Sequence, residues 1–249
     1  MLIAKQGIMY IKPYGLPENI LSITTTRHTG FSKSEYASLN FGFHVDDNPL
    51  DVEKNYDKLS TVFKLDKVIT LTQIHSNTII NLDNTDNLNS FAGALTGDGL
   101  ITKKTNLPIG IMTADCFNVQ LIGKEYIANL HCGWKSIYLG IIENCLKIFA
   151  DNEDIVEYAV IGPGICENCY TVGKDLAIKF SDLVREKSIF HIKGDNYLLN
   201  LRKIIKLKLE NFVNNVIDLN YCTYCSDFLY SYRKSNKTGR MISILMKYE

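Results

Sequence analysis

The sequence predicts an α+β protein in which mixed β-sheets are flanked by helices. Strand-like segments outnumber helix-like ones, and several neighbouring strands have only turns between them. A doubly wound parallel sheet would instead alternate strands with helices along the chain. The chain has 249 residues, of which 46% are hydrophobic, so one large domain or two small ones would fit.

The predicted strands are short apolar runs rich in Ile, Val, Thr and Tyr, bounded by Gly, Asn or Asp. No internal repeat and no low-complexity linker interrupts them. They cover residues 20–26, 67–74, 98–102, 108–113, 118–122, 126–130, 156–161, 216–221 and 242–246.

The predicted helices are segments whose apolar residues recur on one helical face. Pro49 opens a run in which Val52, Tyr56, Leu59 and Phe63 lie on one such face. The same spacing predicts helices over 137–148, 176–184 and 201–212.

The charge balance argues against two classes of partner. The chain carries 27 Lys and Arg residues and 27 Asp and Glu residues, so it has no global electrostatic reason to bind nucleic acid or an anionic membrane. No apolar run reaches the roughly 18 residues of a spanning helix, and residues 1–6 lack the features of a signal peptide. We therefore expect a cytoplasmic protein whose seven cysteines are reduced thiols.

Two histidines and one cysteine lie next to the ends of predicted strands. His75 follows the strand over 67–74, Cys116 lies between two strands, and His131 follows the strand over 126–130. This donor set suits a zinc ion that keeps an open fourth position. It equally suits a cysteine nucleophile with a histidine base. The three residues are too far apart for a zinc finger, so only the fold can assemble such a site, and each residue alone is more often structural.

Two neighbours of these residues have candidate supporting roles. Asp115 is placed to accept a hydrogen bond from a ligating imidazole, although it also fits a simple turn. Gly133 allows a close approach of the backbone or serves only as the turn into the next helix.

Two further patterns leave alternatives open. The pairs Cys166/Cys169 and Cys222/Cys225 could form a tetrathiolate zinc site. The chain between the pairs is far longer than the roughly 15–20 residues of a zinc ribbon, so we expect separate thiols instead. Residues 228–240 combine aromatics with four cations, which is typical of a hairpin with a solvated basic tip or of a phosphate site. Residues 24–27 and 39–44 pose the same choice.

The order of these motifs resembles a known family. The chain is similar to the laccase-domain purine nucleoside phosphorylases, the YfiH-like proteins once labelled multicopper polyphenol oxidases. The resemblance extends over nearly the whole chain, from about Ile20 to Met246. The matching motifs lie at 25–32, 39–47, 72–75, 98–102, 113–116, 131–134, 161–165, 169–173 and 231–240.

The resemblance implies a single domain over residues 1–249, with mixed sheets stacked between helical layers in the order α/β/β/α. It implies zinc held by His75, Cys116 and His131, which are also the catalytic residues. The implied reaction is phosphorolysis of adenosine, guanosine or inosine and methylthioadenosine, together with adenosine deamination. Small nucleosides and phosphate are then the expected partners. The oligomeric state is left open, with a monomer as the expectation.

Further residues are expected to contact the substrates. We expect Arg27 and Lys135 to bind phosphate, and His44 or Asp115 to handle protons. Further substrate contacts are expected from the residues Asn40, Gln73 and Arg233.

The chain departs from the family pattern close to the ligands. Ser76 replaces the usual Gly after the first histidine, and Lys135 and Ser136 replace the usual Arg-Gly after the tryptophan. Phe117 and Asn118 stand where the family has proline. The preferred purine therefore does not follow from the resemblance.

Other functions were weighed against this one. A laccase needs more imidazole ligands than the five histidines of this chain, which argues against copper oxidase chemistry. A metal-free thiol hydrolase, or an amidase acting on cell-wall precursors, would use Cys116 with His131 as its base. A binding protein with a dead site is disfavoured, because all three candidate ligands are present.

Overall fold

The computed structural model describes residues 1–85 and 95–249. Its strands are β1 (Leu2–Lys5), β2 (Ile8–Ile11), β3 (Ile20–Thr25), β4 (Leu71–Thr72), β5 (Ile79–Asn81), β6 (Leu95–Thr96), β7 (Gly99–Thr102), β8 (Ile109–Thr113), β9 (Phe117–Gly123), β10 (Ile127–Cys132), β11 (Val156–Ile161), β12 (Thr171–Val172), β13 (Phe190–Lys193), β14 (Asn196–Leu199), β15 (Asn215–Asp218) and β16 (Met241–Lys247). Its α-helices are α1 (Pro49–Phe63), α2 (Trp134–Tyr138), α3 (Ile141–Asp151), α4 (Lys174–Val184) and α5 (Leu201–Leu209).

The first large sheet is antiparallel, with strand order β1-β2-β3-β16-β8. Alternate residues of its strands face α1, where Ile23, Ile242 and Ile244 pack with Leu59 and Phe63. Asn48 caps α1, since its side chain accepts a hydrogen bond from the Leu50 N–H.

The second large sheet is mixed, with strand order β15-β11-β9-β10-β7-β5 and parallel pairs β11–β15 and β5–β7. Its outer face packs against α3, α4 and α5 in the largest hydrophobic core, in which Phe117, Leu130, Phe149, Phe180 and Ile205 are buried. A small sheet of β12, β14 and β13 and the short pair β4–β6 lie beside the large sheets.

The two large sheets pack face to face. Apolar residues of both, including Ile109, Ile111, Ile127 and Leu245, form the core between them. The order of layers is therefore helix, sheet, sheet, helices, and the prediction of an α+β fold with mixed sheets between helical layers is confirmed.

Buried polar side chains also lie between the sheets and link them by hydrogen bonds. Gln120 of β9 accepts from the Ser22 hydroxyl at 2.5 Å and donates to the Ile244 carbonyl at 3.1 Å. The Asn129 amide on β10 donates to the Ser243 carbonyl at 2.9 Å. Because such groups are costly to bury without partners, these bonds fix how one sheet sits on the other.

Three sequence predictions differ from the structure in detail. The strand predicted over 67–74 is reduced to β4, because His75 turns the chain with φ of 58° and Ile69 makes only an isolated bridge to Ile109. The helix predicted over 137–148 is broken at Gly140, whose φ is 84°. Phe212 lies beyond the end of α5 and is exposed.

Several elements had no sequence signal. The hairpin of β1 and β2 and the small β12–β14–β13 sheet were not predicted, since β1 and β13 are mostly exposed and lack apolar alternation. No helix in the described ranges is long and apolar enough to cross a membrane.

Candidate active site

A cavity of about 820 Å³ opens where the loops after β4, β8 and β10 meet the segment that precedes β16. This volume lies within the roughly 300–1,000 Å³ range of small-molecule sites. Its walls combine aromatic, titratable and cationic side chains. They are Phe43, His44, Tyr56, Thr70, Leu71, Thr72, Gln73, His75, Met112, Thr113, Ala114, Asp115, Cys116, His131, Trp134, Ile165, Tyr170, Tyr232, Arg233 and Arg240.

The three predicted ligands meet on one wall of this cavity. One ligand atom from each of His75, Cys116 and His131 lies within 4.8 Å of the others. The Nε2 of His75 is 4.0 Å from the Cys116 sulfur. The two imidazole rings meet edge to face with centroids 4.8 Å apart. The fold thus assembles residues that are distant in sequence.

A buried carboxylate, Asp98, organises this wall. Its Oδ1 lies 2.8 Å from His131 Nδ1 and accepts from the His75 N–H at 2.9 Å. Its Oδ2 accepts from the Ser76 N–H at 2.6 Å, the Ser76 hydroxyl at 2.8 Å and the Ile74 N–H at 3.3 Å. The carboxylate therefore fixes the His131 tautomer, leaving Nε2 for a ligand, and shapes the loop that carries His75.

Sequence reasoning missed the role of Asp98. The sequence predicts Asp98 only as the start of a strand and favours Asp115 for the imidazole contact. The structure gives Asp115 other partners, which are the Thr223 hydroxyl at 2.6 Å and the Arg233 N–H at 2.6 Å. An aspartate at the start of a strand, in a chain with a nearby Cys and two His, was the available signal.

Gly133 is required by close packing at the ligands. A Cβ atom at this position would lie 3.0 Å from the Cys116 sulfur and 3.0 Å from His75 Cδ2. The close approach predicted from the sequence is therefore present, and Gly133 also precedes α2 as its N-cap residue.

Cys116, His131 and Asp98 shift one another's pKa values. Burial raises the pKa of the Cys116 thiol, but the His131 and His75 imidazoles outweigh it and lower that pKa to about 6. For His131, burial lowers the pKa, yet the Cys116 thiolate and Asp98 raise it to about 9. Burial likewise opposes ionisation of Asp98, whose hydrogen bonds from His131 and Ser76 lower its pKa to about 2.

These observations fit a single metal ion. The side chains supply one thiolate and two imidazoles, the set that catalytic zinc sites use with a fourth, exchangeable position. The contact from Asp98 to His131 is the kind of carboxylate–histidine contact that orients metal-binding imidazoles. The site also opens into the cavity, so a substrate can reach it.

Four of the residues expected to contact substrate line the cavity. Gln73 does so while its amide pairs with the backbone N–H and carbonyl of Met112, at 2.8 and 2.9 Å. Asp115 and Arg233 also line the cavity. His44 lies beside Arg240, and burial together with the Arg240 charge lowers the pKa of His44.

Arg27, Asn40 and Lys135 do not line the cavity. The Arg27 guanidinium donates to the Ala37 carbonyl at 2.9 Å and lies over the Tyr230 ring. Asn40 is fully buried, and its Oδ1 accepts from the N–H groups of Gly42 and Arg240. These contacts hold the backbone together, which explains why the residues stand in a recognisable motif without facing the cavity.

The segment 228–240 contains turns and no strand, so the predicted hairpin is wrong. The segment packs tightly on itself, because a Cβ atom at Gly239 would lie only 2.6 Å from the ring of the buried Tyr230. Two of its cations, Arg233 and Arg240, line the cavity. Both belong to the segment for which the sequence left a phosphate site open.

The fold and this site define a mixed-sheet protein with a candidate metal centre of one thiolate and two imidazoles inside a large cavity. The family model described as multi-copper polyphenol oxidoreductase laccase matches residues 21–247. A protein of Haemophilus influenzae named purine nucleoside phosphorylase is 35% identical over 245 residues, which are 93% of this chain and 96% of that protein. The Escherichia coli protein named purine nucleoside phosphorylase YfiH is 30% identical over 243 residues, 92% and 94% of the two chains.

Solved structures agree with these sequence matches. A Neisseria meningitidis protein superposes with a TM-score of 0.86 at 28% identity, over 98% of this chain and 100% of that one. A Bacillus licheniformis protein, YfiH, also has a TM-score of 0.86 at 28% identity, over 97% and 96% of the two chains. The chain belongs to the laccase-like family, whose curated members include the YfiH-type purine nucleoside phosphorylases.

Proposed function

We propose that the protein is a zinc-dependent purine nucleoside phosphorylase that also deaminates adenosine. The observation that carries this proposal is the convergence of His75, Cys116 and His131 on one wall of a cavity whose other walls hold aromatic rings and two arginines. The names of the curated relatives support the phosphorylase activity.

In this proposal His75, Cys116 and His131 hold the zinc, and Asp98 orients His131. When bound, zinc supplies a Lewis acid beside the substrate and lowers the pKa of coordinated water. The name of the family model does not point to copper in this chain. Of its five histidines, only His44, His75 and His131 line the cavity, too few for a blue-copper site and a trinuclear cluster.

The remaining walls suit a nucleoside and a phosphate. Phe43, Tyr170 and Tyr232 offer ring faces for the purine. Arg233 and Arg240 supply the cations that a phosphate requires, and each already lies over a tyrosine ring. We therefore assign phosphate binding to these two arginines in place of Arg27 and Lys135.

Phosphorolysis then needs orientation more than covalent chemistry from the protein. A phosphate oxygen forms a bond to C1′ of the ribose while the bond from C1′ to the purine nitrogen breaks. The electron pair leaves with the purine, which takes up the proton that the hydrogen phosphate loses, and ribose 1-phosphate remains. Arg233 and Arg240 would hold the attacking phosphate, and the closed aromatic walls would hold the leaving base.

Deamination uses the same cavity with water in place of phosphate. Water adds to C6 of adenine, ammonia leaves, and inosine is formed. The lowered pKa of His44 keeps its imidazole neutral near pH 7, so it can accept a proton from water and return it to the departing amine.

The competing function is a metal-free thiol hydrolase. The geometry that favours it is the pairing of Cys116 with two imidazoles at the cavity wall. The two functions respond oppositely to chelation. Exhaustive zinc removal should abolish phosphorolysis and deamination together, and added zinc should restore both. Activity that survives chelation but stops on alkylation of Cys116 would replace the zinc enzyme with the thiol enzyme.

The phosphate assignment has its own test in steady-state kinetics. Arg240→Ala and Arg233→Ala should each raise the KM for phosphate at least about tenfold, the effect of losing one charge-assisted contact of roughly 1.4 kcal/mol or more. Deamination, which uses no phosphate, should change much less. Arg27→Ala serves as the matched control, with a KM for phosphate close to that of the wild type. The reverse ranking of these variants would return the phosphate site to Arg27.

A further inference from the structure

Four cysteines meet outside the cavity. Cys166 and Cys169 flank a short 3₁₀ turn after β11, and Cys222 and Cys225 flank a turn after β15. One sulfur from each residue lies within 4.8 Å of the other three, and all four thiols are free. The fold therefore closes the long separation between the two pairs, which had argued against a joint site.

The sulfur positions match a mononuclear tetrahedral site. Four thiolates at about 2.3 Å from one ion lie roughly 3.8 Å from one another. The Cys169 and Cys225 sulfurs are 3.4 Å apart. An iron–sulfur cluster contains several irons and needs more widely spaced cysteines than this group.

Backbone donors support the same conclusion. The Cys166 N–H donates to the Cys222 sulfur at 3.3 Å, and the Cys225 N–H also donates to that sulfur. Hydrogen bonds from N–H groups favour a thiolate over a thiol. Four sulfurs this close together could all ionise only around a cation.

We propose that Cys166, Cys169, Cys222 and Cys225 bind a second zinc ion, which has a structural role. The site is distinct from the His75/Cys116/His131 centre, since it has no open position and exposes no ligand to the cavity. We propose zinc because a tetrahedral set of four thiolates is one of its common ligand sets and because zinc undergoes no redox change.

The position of this second site indicates what it stabilises. The first cysteine pair lies between Ile165 and Tyr170, and both of these residues line the cavity. The second pair flanks Thr223, whose hydroxyl donates to Asp115 beside the ligand Cys116. Arg233 then joins the two segments, because its guanidinium donates to the Thr171 carbonyl at 3.1 Å.

A metal that clamps these segments would reduce the freedom of one whole cavity wall. A metal bound by both cysteine pairs would link the two ends of the chain segment that contains α4, α5 and the strands β12 to β15. Closing so long a segment removes many open conformations, which is the setting in which metal clips stabilise most in theory. The second zinc is therefore a positioning element for Tyr170 and Arg233.

Metal counting on purified protein tests the inference. Wild-type protein purified without added metal should contain two zinc ions per chain. The Cys169→Ser/Cys225→Ser variant should lose one, and the Cys116→Ala/His131→Ala variant should lose the other. Cys145→Ala, which removes a buried thiol elsewhere, should keep both. Because each double variant empties one site only, failure of this inference is distinguishable from failure of the proposed zinc enzyme.

A spectroscopic measurement keeps the test decisive if the Cys169→Ser/Cys225→Ser variant does not fold. X-ray absorption at the zinc edge of the Cys116→Ala/His131→Ala variant should show four sulfur neighbours at about 2.3 Å and no nitrogen. A zinc-free Cys116→Ala/His131→Ala variant, an iron signal, or a Cys166–Cys169 disulfide in freshly purified protein would each overturn the inference.

Hydrogen exchange tests the positioning role. The N–H groups of Thr223 and Arg233 donate to Gly164 and Asp115, so both should be protected in the wild type. Their exchange should accelerate at least about tenfold in Cys169→Ser/Cys225→Ser. Unchanged exchange at these amides in a zinc-depleted site would show that the second zinc does not hold the cavity wall.

Discussion

The contact from Asp98 to His131 leads to the sharpest prediction, which concerns Asp98→Asn. The carboxylate is fully buried and accepts hydrogen bonds from the His131 ring, three backbone N–H groups and the Ser76 hydroxyl. Asparagine keeps one acceptor oxygen and places an NH₂ group where the other oxygen stood. In either orientation of the amide, donors that now meet oxygen would meet another donor.

The orientation with the smaller loss puts the NH₂ group at Oδ1, opposite the N–H of His75 and Nδ1 of His131. Two hydrogen bonds to a charged group are then lost, at about 1.5–3 kcal/mol each, so unfolding should be easier by about 3–6 kcal/mol. His131 can relieve its part only by moving its proton to Nε2. That tautomer cannot bind a metal through Nε2, and zinc affinity should therefore fall about 10–100-fold.

Asp154 provides a matched control. This buried carboxylate accepts from three consecutive backbone N–H groups, those of Lys124, Glu125 and Tyr126, in the turn between β9 and β10. Asp154→Asn should destabilise the protein by about 1.5–3 kcal/mol, because the better amide orientation sacrifices only one of these bonds. It should leave zinc binding unchanged.

Urea unfolding measures the stability of both variants, and competition with a chromophoric chelator measures their zinc affinity. Wild-type zinc affinity in folded Asp98→Asn would refute the reasoning, since it would mean that the tautomer of His131 is fixed without Asp98. Equal loss of zinc affinity in Asp154→Asn would also refute it, because the effect would then follow general destabilisation.

The remaining predictions concern backbone and thiol positions. Gly133→Ala should lower zinc affinity at least about tenfold in the chelator competition, because its Cβ would press on Cys116 and His75 at 3.0 Å; full retention of zinc would mean that the loops can shift at no cost. Gly140→Ala should lower the free energy of unfolding by about 1–2 kcal/mol, since φ at this position is 84° and the alanine would be strained; urea unfolding that matches wild type would contradict this. After metal removal and denaturation without reductant, alkylation of freshly lysed protein should modify all seven cysteines, including the buried Cys132 and Cys145, and mass spectrometry that finds a native disulfide would disprove the prediction.

The core strands were predictable from sequence because their composition is extreme. β8, β9, β10 and β16 are buried nearly throughout, and their runs of Ile, Leu and Met are bounded by turn residues, so they are readily predicted as strands. β1 and β13 are mostly exposed, and their pairing depends on partners that a local pattern does not reveal. The sequence therefore predicts the buried core strands, whereas the exposed strands depend on tertiary contacts that a local sequence pattern does not show.

The site was predictable in part for a related reason. His75, Cys116 and His131 lie next to apolar runs in the sequence, and the order of the motifs pointed to them. Asp98 and Arg240 also lie in matching motifs, at 98–102 and 231–240, but neither motif shows which groups its side chain faces. Arg27 and Asn40, which are expected from the sequence to contact substrate, do not line the cavity. They lie in a distinctive motif, but their hydrogen bonds serve the backbone.

The face-to-face packing of the sheets explains why both proposed metal sites lie in the same region. In β10, Asn129 and His131 alternate with residues that face the helices, so both point toward the other sheet. Asn129 bonds to that sheet in the middle of the strand, and His131 reaches the cavity at its end. The loops beyond these strand ends carry Cys116, Ile165 and Thr223, which hydrogen bonds to Asp115 hold together. A second zinc on the outer side of these loops would fix the wall that the first zinc faces.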